Sequence, residues 1–214
     1  MAGHEFQKFV AYPISKEADD RGEALINWIA ERKFRPDHVW KREDWNRPGN
    51  VDGFLPHFAN WQFDWLDVPG LIKAAGSCFE FPMVDRDPLE RWSFGRVTLL
   101  GDAAHPMYPI GSNGASQGIL DARYLTREIR RHGPAPAALE AYEAERRPAT
   151  AQIVMANRAN GPEQVMQLVH LRAPDGFGCV EDVLTQDELD YTATAYKKIA
   201  GFEGETLNSR PPII

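Results

Sequence analysis

A run from Gly95 to Ala122, GRVTLLGDAAHPMYPIGSNGASQGILDA, holds the residue types best suited to ligand chemistry in this sequence. The apolar segment Arg96 to Leu100 (RVTLL) reads as a buried strand that delivers Gly101 and Asp102 at its C-terminal end. A loop rich in proline and glycine follows, and a helix opens near Gly114. A strand end beside a helix N-terminus is a place where small anionic or polar ligands bind. Gly111, Ser112, Asn113 and Gly114 can form a tight turn whose backbone N–H groups converge on one point. Asp102 offers carboxylate oxygens to ligand hydroxyls. The same residues fit a plain turn, in which the aspartate caps a neighbouring helix and the glycines serve turn geometry. Residue types alone leave both readings open.

Other chemistries find less support. The six histidines, at 4, 38, 57, 105, 132 and 170, form no HExxH or comparable set, so no metal site is expected. His105 reads as a structural residue or a neighbour of the ligand. Ser112 and Ser116 lack a GxSxG setting, which argues against a serine hydrolase. Asp85 and Asp87 flank Arg86 in what reads as a charged turn. Arg127, Arg130 and Arg131 read as the basic end of a helix, where cations are favoured. Most of the tryptophans, at 28, 40, 45, 61, 65 and 92, are expected in the core or as loop anchors.

The elements that must position the ligand-suited run fall into two groups. Lys8–Ile14 (KFVAYPI) and Ala24–Ala30 (ALINWIA) are strand candidates separated by a polar stretch; the second reads at least as well as a strand as it does as a helix. Pro13 belongs at an edge or bulge. Arg35–Asn50 reads as a long loop, Val51–Trp61 as a short helix, and Cys78–Met83 (CFEFPM) as a further strand by its alternation. Beyond Gly114, Ala115–Arg131 reads as a helix with Ile119, Ala122, Leu125 and Ile129 on its apolar face, stopped by Gly133 and Pro134. Ala137–Ala159 is a second helix, with Leu139, Tyr142, Arg146, Ala149, Ile153 and Ala156 in one stripe and Pro148 as a kink. Pro162–Leu171 and Thr185–Ala200 are a third and a fourth, the last capped by Thr185 with Glu188. The tail reads as irregular coil. Strands before helices, without alternation, predict an α+β fold.

The 214 residues suffice for a sizeable core, and 43% of them are hydrophobic and 26% charged, neither a disordered nor a membrane composition. With 17 glycines and 16 prolines the chain is expected to be loop-rich. A net charge of −7 argues against a nucleic-acid partner. No apolar run is long enough to cross a membrane, and Met1–Tyr12 lacks the basic-then-apolar order of a signal peptide. Cys78 and Cys179 are too few and too far apart for a disulfide framework or a thiolate metal site. A cytoplasmic location is therefore expected.

The segment GDAAHPMYPIGSNGASQGILDA resembles the second FAD-binding motif of the class A flavoprotein aromatic monooxygenases, in particular the branch that modifies phenazines. Asp85-Arg86-Asp87-Pro88, Trp92, Gly95-Arg96-Val97, Leu207-Asn208 and Arg210-Pro211-Pro212 are similar to that branch as well, so the resemblance spans nearly the whole chain. It implies FAD as cofactor, NAD(P)H and O₂ as co-substrates, and hydroxylation of a small aromatic substrate through a flavin hydroperoxide. It implies that Asp102, beside Gly101, accepts a hydrogen bond from the ribityl chain. It places Pro109, Gly111, Ser112, Asn113 and Gly114 along the isoalloxazine ring, with the following helix directed at its N1–C2=O edge. A helix start and free N–H groups there favour the negative charge of reduced flavin by ~0.3–1 kcal/mol for the dipole alone. Arg86 would lie near flavin or substrate, and Tyr12 or Tyr108 could hydrogen-bond a phenol or carboxylate. Oxygen transfer demands no side-chain acid or base, so no catalytic residue is named.

The family's GxGxxG unit, which holds the ADP half of FAD, has no counterpart here. Gly70–Gly76 has the wrong spacing, and Asp52-Gly53 and Asp175-Gly176 read as turns rather than as the family's middle Asp-Gly motif. The chain thus resembles a C-terminal portion. Residues 1–94 are expected to form a partial substrate-binding sheet region, and residues 95–214 the FAD-contacting motif and C-terminal helices, the two making one unit. A partner chain bearing the GxGxxG unit, or self-association, would complete the site. The other reading is a non-catalytic or truncated remnant that works by binding a partner protein.

Overall fold

The computed structural model describes every residue except 36, 40–43, 210 and 214. By its contacts the chain divides into two units, Met1–Pro82 and Met83–Ile214. The fold is α+β, with short antiparallel sheets in the first hundred residues and helices after them. Among the described residues no βαβ unit occurs, and no helix is long and apolar enough to cross a membrane.

In the first unit, β1 (Ala2–His4), β2 (Gln7–Pro13) and β3 (Ile26–Arg32) form an antiparallel sheet in that order. Phe9 pairs with Ala30 and Ala11 with Trp28, so these four share one face of the sheet. That face packs on Phe58, Val68 and Ile72, all buried. Pro13 ends β2, where its missing N–H costs least. Between β2 and β3 lies α1 (Lys16–Asp20), a single turn started by Ser15, whose hydroxyl accepts from the Ala18 N–H. α2 (Val51–Phe54) runs into a 3₁₀ turn over Leu55–Phe58, as the aromatic spacing there predicts. A hairpin of β4 (Gln62–Phe63) and β5 (Leu66–Asp67) leads into α3 (Val68–Ala74), which Asp67 caps through the Gly70 N–H. Parts of the expected loop over Arg35–Asn50, and Trp40, lie outside the described residues.

The expected strand over Cys78–Met83 is not formed. Among the described residues only Phe79 makes a bridge, to Pro48, and no neighbouring strand covers the exposed Phe81 and Met83. Alternation makes a strand only when a second strand offers a ladder, and Pro82 has no N–H to give one.

The second unit opens with a hairpin of β6 (Ser93–Phe94) and β7 (Val97–Thr98), turned at Gly95 with φ +62°. The buried strand expected over Arg96–Leu100 is therefore two residues long, and Val97 is 65% exposed. A two-residue ribbon covers neither of its faces. α4 (Gly114–His132) and α5 (Pro136–Arg158) then pack on each other, α5 running through Pro148. Trp92, Ala104 and Tyr142 form the local core with Leu99, Tyr124 and Leu125. α6 (Gln164–Arg172) and α7 (Gln186–Ala200) follow, and α7 packs against α5. The tail, expected as coil, contains α8 (Gly204–Ser209).

α4 is helical as its pattern predicts, but of its expected apolar face only Leu125 packs on the core. Ile119 is 64% exposed, and Ala122 and Ile129 also lie outside, whereas Gln117, Asp121 and Glu128 are buried. The apolar stripe marks residues that gain by burial; the partners offered by the fold here are an arginine and backbone amides, which call for the polar stripe.

α7 carries the capping box its sequence announces. The Thr185 hydroxyl accepts from the Glu188 N–H, and Glu188 accepts from the Thr185 N–H. The Arg172 guanidinium beside Glu188, with the Thr185 N–H, lowers that carboxyl to about 2. This stabilisation is therefore present above the ordinary glutamate range and lost as pH falls towards the folded value. Thr185→Ala is expected to cost about 1 kcal/mol, read as a lower thermal midpoint at neutral pH.

Candidate functional site

The second unit brings a turn after β7 against the first turns of α4. Gly101, at φ +59°, begins a 3₁₀ turn that ends at Ala103. Its carbonyl accepts from the Ala104 and His105 N–H groups, at 2.9 and 3.0 Å. The positive φ suits glycine and turns the chain so that Asp102 faces outward. Asp102 is exposed, and among the described residues its side chain has no hydrogen bond or ion pair. Both of its oxygens are thus available to a ligand. Gly118 of α4 backs onto this turn, where a Cβ would stand 3.9 Å from the Gly101 Cα.

The loop that follows narrows to the helix start. Pro109 is exposed, and its carbonyl accepts from the Ser112 N–H at 3.2 Å. Gly111 sits at φ +71° and Ser112 at φ +50°, so two successive residues adopt left-handed backbone. Serine there is a strained choice, of the kind held only when its surroundings over-determine it. Asn113 stands at the N-cap of α4 and yet does not cap it. Its side chain is fully buried, and Oδ1 accepts from Gln117 Nε2 at 3.1 Å. The first N–H groups of α4, from Gly114 onward, have no intrahelical acceptor and keep no side-chain cap. The expected turn at Gly111–Gly114 is therefore present, with an uncapped helix start behind it.

A buried polar frame that the sequence reading did not single out holds both segments. Asp121 is 0% exposed. Its Oδ2 accepts from the Gly101 N–H at 3.0 Å and lies 2.5 Å from His105 Nε2, while Oδ1 accepts from Arg146 Nε at 2.7 Å. Burial would raise the Asp121 pKa, but hydrogen bonds from His105 and Arg146 outweigh it and hold the carboxyl below its ordinary value. Arg146 also donates to Gln117 Oε1 at 2.6 Å, and Gln117 passes the chain of bonds to Asn113. Asn157 Nδ2 donates to the Tyr108 carbonyl at 2.9 Å. The Tyr196 hydroxyl donates to Asn157 Oδ1 at 2.9 Å, with the Ile110 carbonyl 3.2 Å away. A Cβ on Gly111 would overlap the Tyr196 hydroxyl and ring. The signal for this frame was Arg146, an arginine in an otherwise apolar stripe, since a buried guanidinium requires a carboxylate. Nothing in the local pattern pointed to Tyr196, which is 86 residues from Ile110.

His105 is thus part of the frame. Among the described residues no group of three or more His, Cys, Asp or Glu could hold a metal ion. Asp85 and Asp87 both engage Arg158, at 2.6 and 2.7 Å, which leaves Arg86 exposed between them. Tyr12 belongs to the first unit, where its hydroxyl accepts from Asn27 Nδ2 at 3.0 Å. Tyr108 is half-buried in the loop of the second unit.

Known proteins match much of this chain. Residues 81–157 match the family model described as FAD binding domain. A phenazine 1,6-dicarboxylic acid hydroxylase from Lysobacter antibioticus is 49% identical over 151 residues, covering 71% of this chain and 37% of that protein. A 3-amino-4-hydroxybenzoate 2-monooxygenase from Streptomyces platensis is 37% identical over 175 residues, covering 80% of this chain and 41% of that protein. A salicylate hydroxylase solved as a substrate complex superposes with a TM-score of 0.59 at 25% identity, over 92% of this chain and 48% of that one. The chain spans less than half the length of these relatives.

Proposed function

On the premise that this chain is related to the class A FAD-dependent aromatic monooxygenases over the stretch it shares with them, we propose that Gly101–Asp102 and Pro109–Gly114 form the flavin-facing part of a composite FAD site. The reaction served is hydroxylation of a small aromatic compound, with NAD(P)H and O₂ as co-substrates. The observation that carries this reading is the free, exposed carboxylate of Asp102 on a turn that backs onto the uncapped start of α4. These residues fit the cofactor: a carboxylate for ribityl hydroxyls, and unpaired N–H groups with a positive helix end for the electron-rich edge of the ring.

Bound FAD, once reduced, supplies the oxygen chemistry. The chain's own residues bind and orient it. Asp102 fixes the ribityl chain, Gly111 and Ser112 let the backbone approach the ring, and Pro109 stiffens the entry to the loop. The N–H groups at Gly114 and beyond favour negative charge at the ring edge. Asp121, Asn157 and Tyr196 act through the loop and touch no ligand themselves.

The ADP half of the cofactor would come from a segment bearing the GxGxxG unit, which the longer relatives leave room for.

Titration of the chain with FAD, followed by flavin fluorescence, tests the reading. Saturable binding near one flavin per chain is expected. Asp102→Ala should weaken it about 10–100-fold, the loss of a hydrogen bond to a charged group, with an unchanged thermal midpoint. Equal affinity of the two proteins would remove Asp102 from the site. Failure to bind flavin even when the N-terminal portion of a relative is supplied in trans would overturn the proposal.

A further inference from the structure

A small cavity in the second unit lies behind the Gly101 turn, lined by Arg86, Trp92, His105, Arg147 and Thr150 among others. It leaves about 10 Å³ for the centre of a water-sized molecule, roughly what one water needs. Three polar atoms of its lining residues are buried without a hydrogen-bond partner: Trp92 Nε1, His105 Nδ1 and Arg147 Nε. Trp92 is 1% and His105 4% exposed, and their rings lie 5.6 Å apart between centroids. Arg147 Nε has only a 3.5 Å ion pair with Glu143.

Donor and acceptor accounting decides what fits. Asp121 is a carboxylate that already accepts from Gly101 and Arg146, so the 2.5 Å contact with His105 Nε2 requires the ring to donate there. In the Nε2–H tautomer, Nδ1 is a bare acceptor. Trp92 Nε1 and Arg147 Nε can only donate. Thr150 Oγ1 directs its proton to the carbonyls of Arg146 or Arg147 and keeps a lone pair. The occupant must accept twice and donate at least once. A halide or carboxylate cannot donate to Nδ1, and a metal ion or ammonium cannot accept from the indole.

We propose that this cavity binds one water molecule, which accepts from Trp92 Nε1 and Arg147 Nε and donates to His105 Nδ1. The water satisfies Nδ1 of the Nε2–H tautomer that Asp121 fixes, and Asp121 in turn holds the Gly101 amide beside Asp102. Trp92 becomes a positioning residue for the turn, four hydrogen bonds away from it. The water site itself stands apart from the proposed function; only its consequence for flavin rests on that reading.

Nuclear magnetic resonance of the ¹⁵N-labelled chain tests it. The expected result is a neutral His105 ring protonated at Nε2 and a cross-peak between the Trp92 indole proton and water. A ring protonated at Nδ1, or an indole proton with no water cross-peak, would overturn the proposal. So would a doubly protonated ring, or a saturable shift of the indole proton on adding chloride, either of which assigns the cavity to an anion. Trp92→Phe removes the donor together with part of the buried indole volume; the water is then expected to lose its place and the Gly101 amide to exchange about tenfold faster. Should that variant not fold, the two readouts on the unaltered chain decide the matter. Flavin affinity in Trp92→Phe is measured separately: a water site present with flavin binding absent would count against the proposed function alone.

Discussion

Asp121→Ala is expected to destabilise the chain by about 3–5 kcal/mol, the cost of leaving a buried charge without its partner. Arg146 would stay 5% exposed with no carboxylate against it, and the Gly101 amide and His105 Nε2 would lose their acceptor in the same step. The readout is the urea midpoint followed by circular dichroism, and a loss under about 1 kcal/mol, the size of one ordinary hydrogen bond, would contradict the account. Asp121→Asn keeps the shape and serves if the alanine variant does not fold. It also carries a pH test. The Asp121 carboxyl is held below the unfolded value of about 3.9, so its stabilisation is complete above that value and fades as pH falls through the folded one. The asparagine variant should lose this acid limb, so its stability deficit shrinks as the solution is acidified.

Gly111→Ala is the second large effect. An L side chain at φ +71° costs about 1–2 kcal/mol. Overlap of the new Cβ with the Tyr196 ring and hydroxyl adds about 1–3 kcal/mol of overpacking. The outcome expected is a lower unfolding midpoint together with loss of flavin affinity, since the loop must move to relieve the clash. Combining it with Tyr196→Ala separates the two causes. The double variant should recover the packing part and retain the backbone part, a coupling that a double-mutant cycle measures. Strict additivity of the two substitutions would show that Tyr196 does not define the loop.

Several elements were legible from local pattern because their causes are local. The capping box at Thr185 and Glu188, the stop at Gly133, and the strand expected over Lys8–Ile14 depend on residues a few positions apart. The strand expected over Cys78–Met83 failed for the opposite reason: alternation is a local property, whereas a ladder needs a partner strand. The misread face of α4 is a failure of the same sort. Ile119 and Ile129 mark an apolar stripe, but Gln117 and Asp121 are the ones turned to Arg146 and Gly101. α1 and α8 escaped notice because single turns of five and six residues leave little periodicity to read.

The sequence by itself determined the chemistry on offer. The order of a glycine and an aspartate, a proline-glycine loop and a helix start is written in consecutive residues, and so are the family likeness and the α+β class. The tertiary structure decided what holds that chemistry in place. Asp121 reaches back 20 residues to Gly101, Arg146 reaches 25 to Asp121, and Tyr196 reaches 39 to Asn157. Such contacts follow from which helix packs on which, and a buried carboxylate, guanidinium or amide reveals its partner only when the chain has brought the two within hydrogen-bond distance and removed the water between them.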